Sequence, residues 1–181
     1  MNNSPEKNAL PADGRSRVSV SDCIIGIAMQ AGLGTLLTVC PHVFAVYCRK
    51  GNAEVAVPFL NLDAWSILLP LLLLGLLAGS LSDAFGLYFR VYCKALLRCR
   101  LLCIAVQAVC AVLLLKVFTL WNPELLSQVQ ELCPNATLLL MGTWESPAIS
   151  SFVLALVLLL LAVDAIVNLV RTLRRVPAEG T

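Results

Sequence analysis

The chain has 181 residues, of which 59% are hydrophobic and 13% are charged, and its formal net charge at pH 7 is +2. A soluble globular domain has about twice that charged fraction, so the composition excludes an ordinary soluble fold and predicts an integral membrane protein. The basic residues are few and spread over several segments, which excludes a nucleic-acid-binding surface.

Four apolar stretches follow one another, each near the roughly 20 residues that cross a bilayer as a helix. We predict membrane spans at residues 23–47, 64–89, 101–121 and 148–170. A polar tail at 1–20, expected to be disordered, precedes them, and a short tail at 172–181 follows. The predicted fold class is an all-α integral membrane protein with four transmembrane helices.

Two of the connecting segments carry local signals. Pro41 falls in the last third of the first span and should kink that helix, and the polar stretch 49–63 after the span is expected to be a loop. In the segment 122–147, apolar residues recur at helical spacing and predict a short amphipathic helix on the membrane surface. Those residues are Leu125, Leu126, Val129 and Leu132.

The distribution of lysine and arginine sets the predicted orientation. Ten of the thirteen fall in the N-terminal tail, the segment between the second and third spans, and the C-terminal tail. Because cytosolic segments carry the basic excess, both ends are predicted to be cytosolic and the segment 122–147 exterior. Asn135 then lies in an exterior glycosylation sequon. Cys133, in the same segment, either pairs with Cys48 in a disulfide or stays a free thiol.

The second span carries a stripe of two glycines and a carboxylate at steps of four: Gly75, Gly79 and Asp83. Small residues let another helix approach closely, and a carboxylate that faces lipid is unfavourable. We predict that this stripe is a helix-packing interface. Through it the chain would bind other membrane proteins, or a second copy of itself as an oligomer, within the lipid bilayer.

Asp83 and Asp164 each lie seven positions before an arginine, which places both about 10 Å inside the membrane boundary. As neighbours they could share a proton and serve proton or cation handling. Alternatively each accepts a hydrogen bond from Gln30, Gln107 or Asn168, reaches head-group water beside its arginine, or forms an assembly contact with another membrane protein. Gln30 and Gln107 are themselves predicted to be interhelical hydrogen-bond partners.

An internal repeat relates the two halves of the chain. Ile27–Ala31 in the first span resembles Ile104–Ala108 in the third, and Asp83-Ala84 in the second matches Asp164-Ala165 in the fourth. The repeat predicts two tandem helical hairpins in parallel relation, because each unit crosses the membrane twice.

The cysteines lack the spacing that is typical of a metal site or a catalytic site. Cys93, Cys99 and Cys103 flank the basic segment before the third span, where they are either palmitoylated or inert thiols. The chain has no CxxC pair, nucleophile elbow or phosphate-binding glycine loop, so we expect neither a cofactor nor catalysis.

A tryptophan followed five residues later by a proline, Trp65 and Pro70, opens the second span, and Leu113-Leu114-Leu115-Lys116 ends the third. With four spans, these features resemble the fragile-X-F-type transmembrane family over residues 60 to 120. The resemblance implies a protein of the endoplasmic reticulum with a role in calcium handling or as an immune adaptor.

Two functions are therefore expected. The first is a non-catalytic multi-pass adaptor or assembly subunit of the endomembrane system, most simply in the endoplasmic reticulum, with the plasma membrane left open. The alternative is a small proton- or cation-coupled transporter or channel subunit that uses Asp83 and Asp164.

Overall fold

The computed structural model of the chain describes residues 17–50, 53–132 and 147–173. The helices are α1 (Val20–Val39), α2 (Trp65–Phe89), α3 (Lys94–Val112), α4 (Leu125–Leu132) and α5 (Pro147–Leu173), and the strands are β1 (Ala45–Lys50) and β2 (Ala53–Pro58). A π-helical turn, Leu113–Val117, continues α3 without a break. The four predicted long helices are confirmed, since α1, α2, α3 with its extension, and α5 are each long and apolar enough to cross a membrane.

The first long helix is shorter than its sequence predicts. It begins at Val20, where the Ser19 side chain accepts a hydrogen bond from the Asp22 amide at 3.3 Å, and it ends at Val39. The predicted helix to Tyr47 with a kink at Pro41 is wrong. Proline has no amide hydrogen for a helical bond, and here it opens a separate 3-10 turn that leads the chain into β1.

The predicted polar loop after the first span is a β-hairpin. β1 pairs antiparallel with β2, from Ala45 opposite Pro58 to Lys50 opposite Ala53. The all-α description therefore holds for the long helices but not for this segment.

The amphipathic helix predicted after the third span is present as α4, but its apolar side faces the hairpin. Leu125 and Val129, each 1% exposed, form one buried cluster with Cys48 of β1 and Val57 of β2. This packing corrects the predicted position of α4 on the membrane surface. The β-hairpin covers the apolar side of α4 that was expected to face lipid.

Backbone hydrogen bonds join the hairpin and α4 to the ends of the long helices. The Asn61 amide donates to the Leu120 carbonyl at 3.0 Å, and Leu60 forms an isolated antiparallel bridge with Trp121. The Asn122 side chain donates to the Pro58 carbonyl at 3.0 Å. We call β1, β2, α4 and the joining segments 59–61 and 119–122 the hairpin end of the molecule.

The long helices pack in chain order, α1 on α2, α2 on α3 and α3 on α5. Within each half of the predicted repeat the two helices pack on each other, and α2 packs on α3 as extensively as on α1. Among the described residues, no extensive contact joins α1 to α5. The four helices therefore form an open row with α2 and α3 at its centre.

At the opposite end of the row, the segment before α1 pairs with the linker between α2 and α3. The Val18 amide donates to the Arg90 carbonyl at 2.9 Å, and Arg17 forms an antiparallel bridge with Val91. α2 ends there at Arg90, which adopts a left-handed conformation with φ 55°. We call residues 17–23, 83–100 and 164–173 the basic end.

Candidate functional site: a polar network among the long helices

The stripe of Gly75, Gly79 and Asp83 lies between α1 and α3 of its own chain. A Cβ built on Gly79 would lie 2.6 Å from Gln107 Nε2 and 2.7 Å from Gln30 Nε2, so a side chain there would displace both glutamines. A Cβ on Gly75 would lie 3.6 Å from the Cys110 Cβ. The stripe is a helix-packing interface within the chain, and the two neighbouring helices already occupy the surface expected to bind other proteins.

Two glutamines form polar contacts near the middle of the row. Ser80 Oγ of α2 donates to Gln30 Oε1 of α1 at 2.7 Å, and Gln107 Nε2 of α3 donates to the Gly75 carbonyl at 3.5 Å. Both glutamines make interhelical hydrogen bonds, as their positions in the sequence predict. Since lipid offers no competing partners, such bonds help to fix which helix faces meet.

Nearer the basic end, Arg100 of α3 and Asn168 of α5 form a buried polar contact between two helices. Arg100 is 9% exposed and Asn168 is 2% exposed, and Arg100 Nη1 donates to Asn168 Oδ1 at 2.6 Å. The Asn168 Nδ2 in turn donates to Asp164 Oδ1 at 3.0 Å. The predicted hydrogen bond between Asp164 and Asn168 is therefore present, within one helix.

Asp83 joins the same group of residues from α2. Its carboxylate lies against Gly26 of α1, where a side chain would collide with it. It interacts electrostatically with Arg100 and, more weakly, with Asp164. The two aspartates are thus in electrostatic range of each other, as the repeat predicts, but of the two charges Arg100 acts on Asp83 more strongly than Asp164 does.

Arg100 requires a glycine beside it. A Cβ built on Gly86 of α2 would lie 2.7 Å from Arg100 Nη2 and 3.0 Å from the Cys23 sulfur. The guanidinium therefore fills space that any other residue at position 86 would take.

Tyr92, in the linker before α3, brings two arginines together. The guanidinium carbons of Arg100 and Arg171 each lie 5.8 Å from the centre of its ring, which is within cation–π range. Arg171 Nη1 also donates to the Tyr92 hydroxyl at 2.9 Å. The polar network thus links α1, α2, α3 and α5 at the basic end.

The sequence prediction did not identify Arg100 as a site residue. It assigned Arg100 to a basic junction, because an arginine usually lies outside a span and the third span was begun at residue 101. In the structure α3 begins at Lys94, about 9 Å of helix before Arg100. Arg100 and Gln107 are seven residues apart, which places them on one face of α3. This spacing could have indicated that Arg100 faces the neighbouring helices.

The other predicted site residues lie apart from this network. Cys93 and Cys99 are half-buried and Cys103 is buried, while the Cys93 sulfur caps α3 by accepting from the Leu96 amide at 3.4 Å. Cys48 belongs to the buried cluster of the hairpin end. Its predicted partner Cys133 and the sequon residue Asn135 lie outside the described residues.

The network contains carboxylates, amides and guanidinium groups, and the contact of Arg100 with Asn168 joins two of its helices. In the described part of the chain, no group of three His, Cys, Asp or Glu side chains could hold a metal ion. No protein-family model, curated protein or solved structure matches the chain, so its function must be argued from these residues.

Proposed function

We propose that the chain is a non-catalytic multi-pass membrane adaptor or assembly subunit, and that it binds a transmembrane helix of a partner protein through the surface of α5 around Asp164. The observation that carries this proposal is the exposure of the Asp164 carboxylate on a helix apolar enough to cross a membrane.

The surroundings of Asp164 are apolar and open. α5 packs along one side on α3, which leaves Leu160 61% exposed, Val163 49% exposed and Ile166 58% exposed. A carboxylate at this depth costs on the order of 2.5 to 3.5 kcal/mol at mid-helix, and less off centre. Asn168 Nδ2 is its described donor, whereas a carboxylate has room for about four hydrogen bonds. A partner helix with a lysine or arginine at the same depth would supply the missing donors.

In a second copy of the chain, Lys116 is not suited to supply those donors. Lys116, in the π-helical turn, donates to Ser151 Oγ at 2.6 Å, close to the start of α5. Ser151 and Asp164 are separated by about 20 Å of helix. A copy inserted in the same orientation would therefore present its Lys116 at the wrong depth.

Photo-crosslinking from α5 tests the proposal. A photoreactive residue at Leu160, one turn from Asp164, should form an adduct with a partner in cell membranes, and Asp164→Asn should abolish that adduct. Asp22→Asn is the matched control, since it removes the same charge from an exposed residue at the start of α1. An adduct that persists in Asp164→Asn would contradict the proposal.

A proton- or cation-coupled transporter or channel subunit is the second candidate, and the electrostatic interaction between Asp83 and Asp164 favours it. Ion flux into proteoliposomes separates the two functions. A flux that the Asp83→Asn/Asp164→Asn variant loses would support transport, whereas two non-conducting proteins with intact fold would leave assembly as the role of Asp164.

We further propose an endoplasmic reticulum location with an N-glycan on Asn135 and a disulfide between Cys48 and Cys133. The basic excess of the predicted cytosolic segments supports the exterior placement of Asn135. Digestion with a glycosidase should increase the mobility of the natural protein but not that of Asn135→Gln. Equal mobility of the natural protein before and after digestion would argue against this topology.

A further inference from the structure

A polar cavity of about 380 Å³ lies at the basic end and is bounded by all four long helices. Its walls include Asp22 of α1, Asp83 of α2, Arg100 of α3 and Arg171 of α5, together with Arg17 before α1. This volume falls within the roughly 300 to 1,000 Å³ of small-molecule sites. It is therefore large enough for a phosphate group and the polar group attached to it.

The charged groups that face the cavity have a positive sum. Arg17, Arg100 and Arg171 contribute three positive charges, against two negative charges from Asp22 and Asp83. Arg17, Arg171 and the carboxylate Asp22 are exposed, while Arg100 is buried. An anion in the cavity would thus meet more accessible positive than negative charge, together with a buried cation.

The arrangement of the guanidinium groups suits an oxyanion. Since Arg100 and Arg171 both lie 5.8 Å from the centre of the Tyr92 ring, their guanidinium carbons are within twice that distance of each other. Each guanidinium presents parallel N–H groups that match two oxygens of one phosphate. Arg100 and Arg171 both line the cavity, so a phosphate group in it would be near guanidinium groups of two helices.

Arg100 has a hydrogen-bond donor without an acceptor, although its side chain is buried and only 9% exposed. Its Nη1 bonds to Asn168, but its Nε is buried with no hydrogen-bond partner among the described residues. A buried donor without an acceptor is unfavourable and calls for a ligand or a solvent molecule beside it. Arg100 also lines the basic cavity, so the side chain with the unsatisfied donor belongs to the cavity wall.

The position of the cavity selects a lipid rather than a free ion. Arg100 lies about 9 Å along α3 from its first residue, and Arg171 lies in the last turn of α5. The cavity therefore spans the depth at which the helices leave the apolar layer, where lipid head groups lie. We propose that it binds the phosphate-bearing head group of an anionic phospholipid, as basic pockets between transmembrane helices do elsewhere.

Binding of phosphatidic acid to the full-length protein in neutral detergent tests this proposal. A fluorescent phosphatidic acid should bind, phosphatidylcholine should not compete, and Arg17→Gln/Arg171→Gln should weaken binding about 30-fold, because each basic side chain contributes about fivefold. These two arginines are exposed, so the variant should keep its fold, which circular dichroism checks. Arg17→Lys/Arg171→Lys should recover most of the affinity because it restores the charges.

Lys94→Gln/Arg98→Gln is the matched control, since it removes two exposed cations of α3 that do not line the cavity. Its affinity should equal that of the natural protein. Equal weakening in the control would overturn the proposal by showing a diffuse charge effect, and so would absence of phosphatidic acid binding. Displacement of the lipid by an equal concentration of inorganic phosphate would also overturn it, by showing a site for the free ion.

Discussion

The two ends of the molecule are held together by different forces. At the basic end, Arg100, Asn168 and Asp83 connect helices through polar groups. At the hairpin end, Leu125 and Val129 of α4 close an apolar cluster against the β-hairpin. Within lipid, apolar surfaces gain little by meeting each other, so small residues and polar contacts specify the packing. Next to water, burial of apolar surface is sufficient.

The largest expected effect lies at the basic end. Asn168→Leu keeps the side chain large but removes the acceptor for the buried Arg100 guanidinium. We expect a loss of about 3 kcal/mol in the free energy of unfolding, because a buried charged donor is left without its partner. Denaturation by detergent titration measures it.

Asn122→Leu is the control at the hairpin end. It removes two hydrogen bonds between neutral groups, one to the Pro58 carbonyl and one from the Glu124 amide, each 3.0 Å long. The expected loss is about 1 to 2 kcal/mol. Equal losses in the two variants would mean that the Arg100 contact is no more important than an ordinary hydrogen bond.

The next largest effect is expected in the apolar cluster. Leu125→Ala should lower the free energy of unfolding by about 2 to 3 kcal/mol, since the side chain is 1% exposed and its removal leaves a cavity. Hydrogen exchange should speed up in β1 and β2 but not in α5. Gln130→Ala, at an exposed position of α4, serves as the control. Faster exchange in α5 as well would contradict the expectation that the two ends are stabilised independently.

Between the two ends, Gly79 tests the close approach of α1 and α3 to α2. Gly79→Leu should cost near the lower limit of the roughly 1 to 3 kcal/mol typical of overpacking, because the ends of Gln30 and Gln107 can swing away. Gly32→Leu is the matched control, since no atom lies within 4 Å of a Cβ at that position. Similar stability of the two variants would show that the helices do not depend on Gly79.

The smallest effect is expected at Lys116, whose hydrogen bond to Ser151 Oγ is exposed. Lys116→Gln should change the free energy of unfolding by less than about 0.5 kcal/mol, as exposed polar substitutions usually do. Ser151→Ala should match it within error. A change comparable to that of Asn168→Leu would show that polar contacts contribute equally along the helices.

The sequence predicts the long helices well because length and hydropathy suffice for them. The second span is predicted at 64–89 and observed at Trp65–Phe89. The hairpin was missed because its residues border an apolar span, although Gly51 and Asn52, between the two strands, are a pair typical of tight hairpins.

The network was only partly predictable. Gln30, Gln107, Asp83 and Asp164 stand out as polar residues in apolar stretches. Their hydrogen-bond partners depend on the rotation of each helix relative to its neighbours. That rotation cannot be read from the residues next to each one in the sequence. The contact of Arg100 with Asn168 joins positions 68 apart, so neither residue indicates the other.

That same separation has a consequence for biosynthesis. Synthesis of α3 is complete well before Asn168 is added, so the Arg100 guanidinium is without its amide acceptor until α5 has been made. A chain that terminates before α5 would keep this cation without Asn168, so the polar network of the basic end can be complete only after α5 is present.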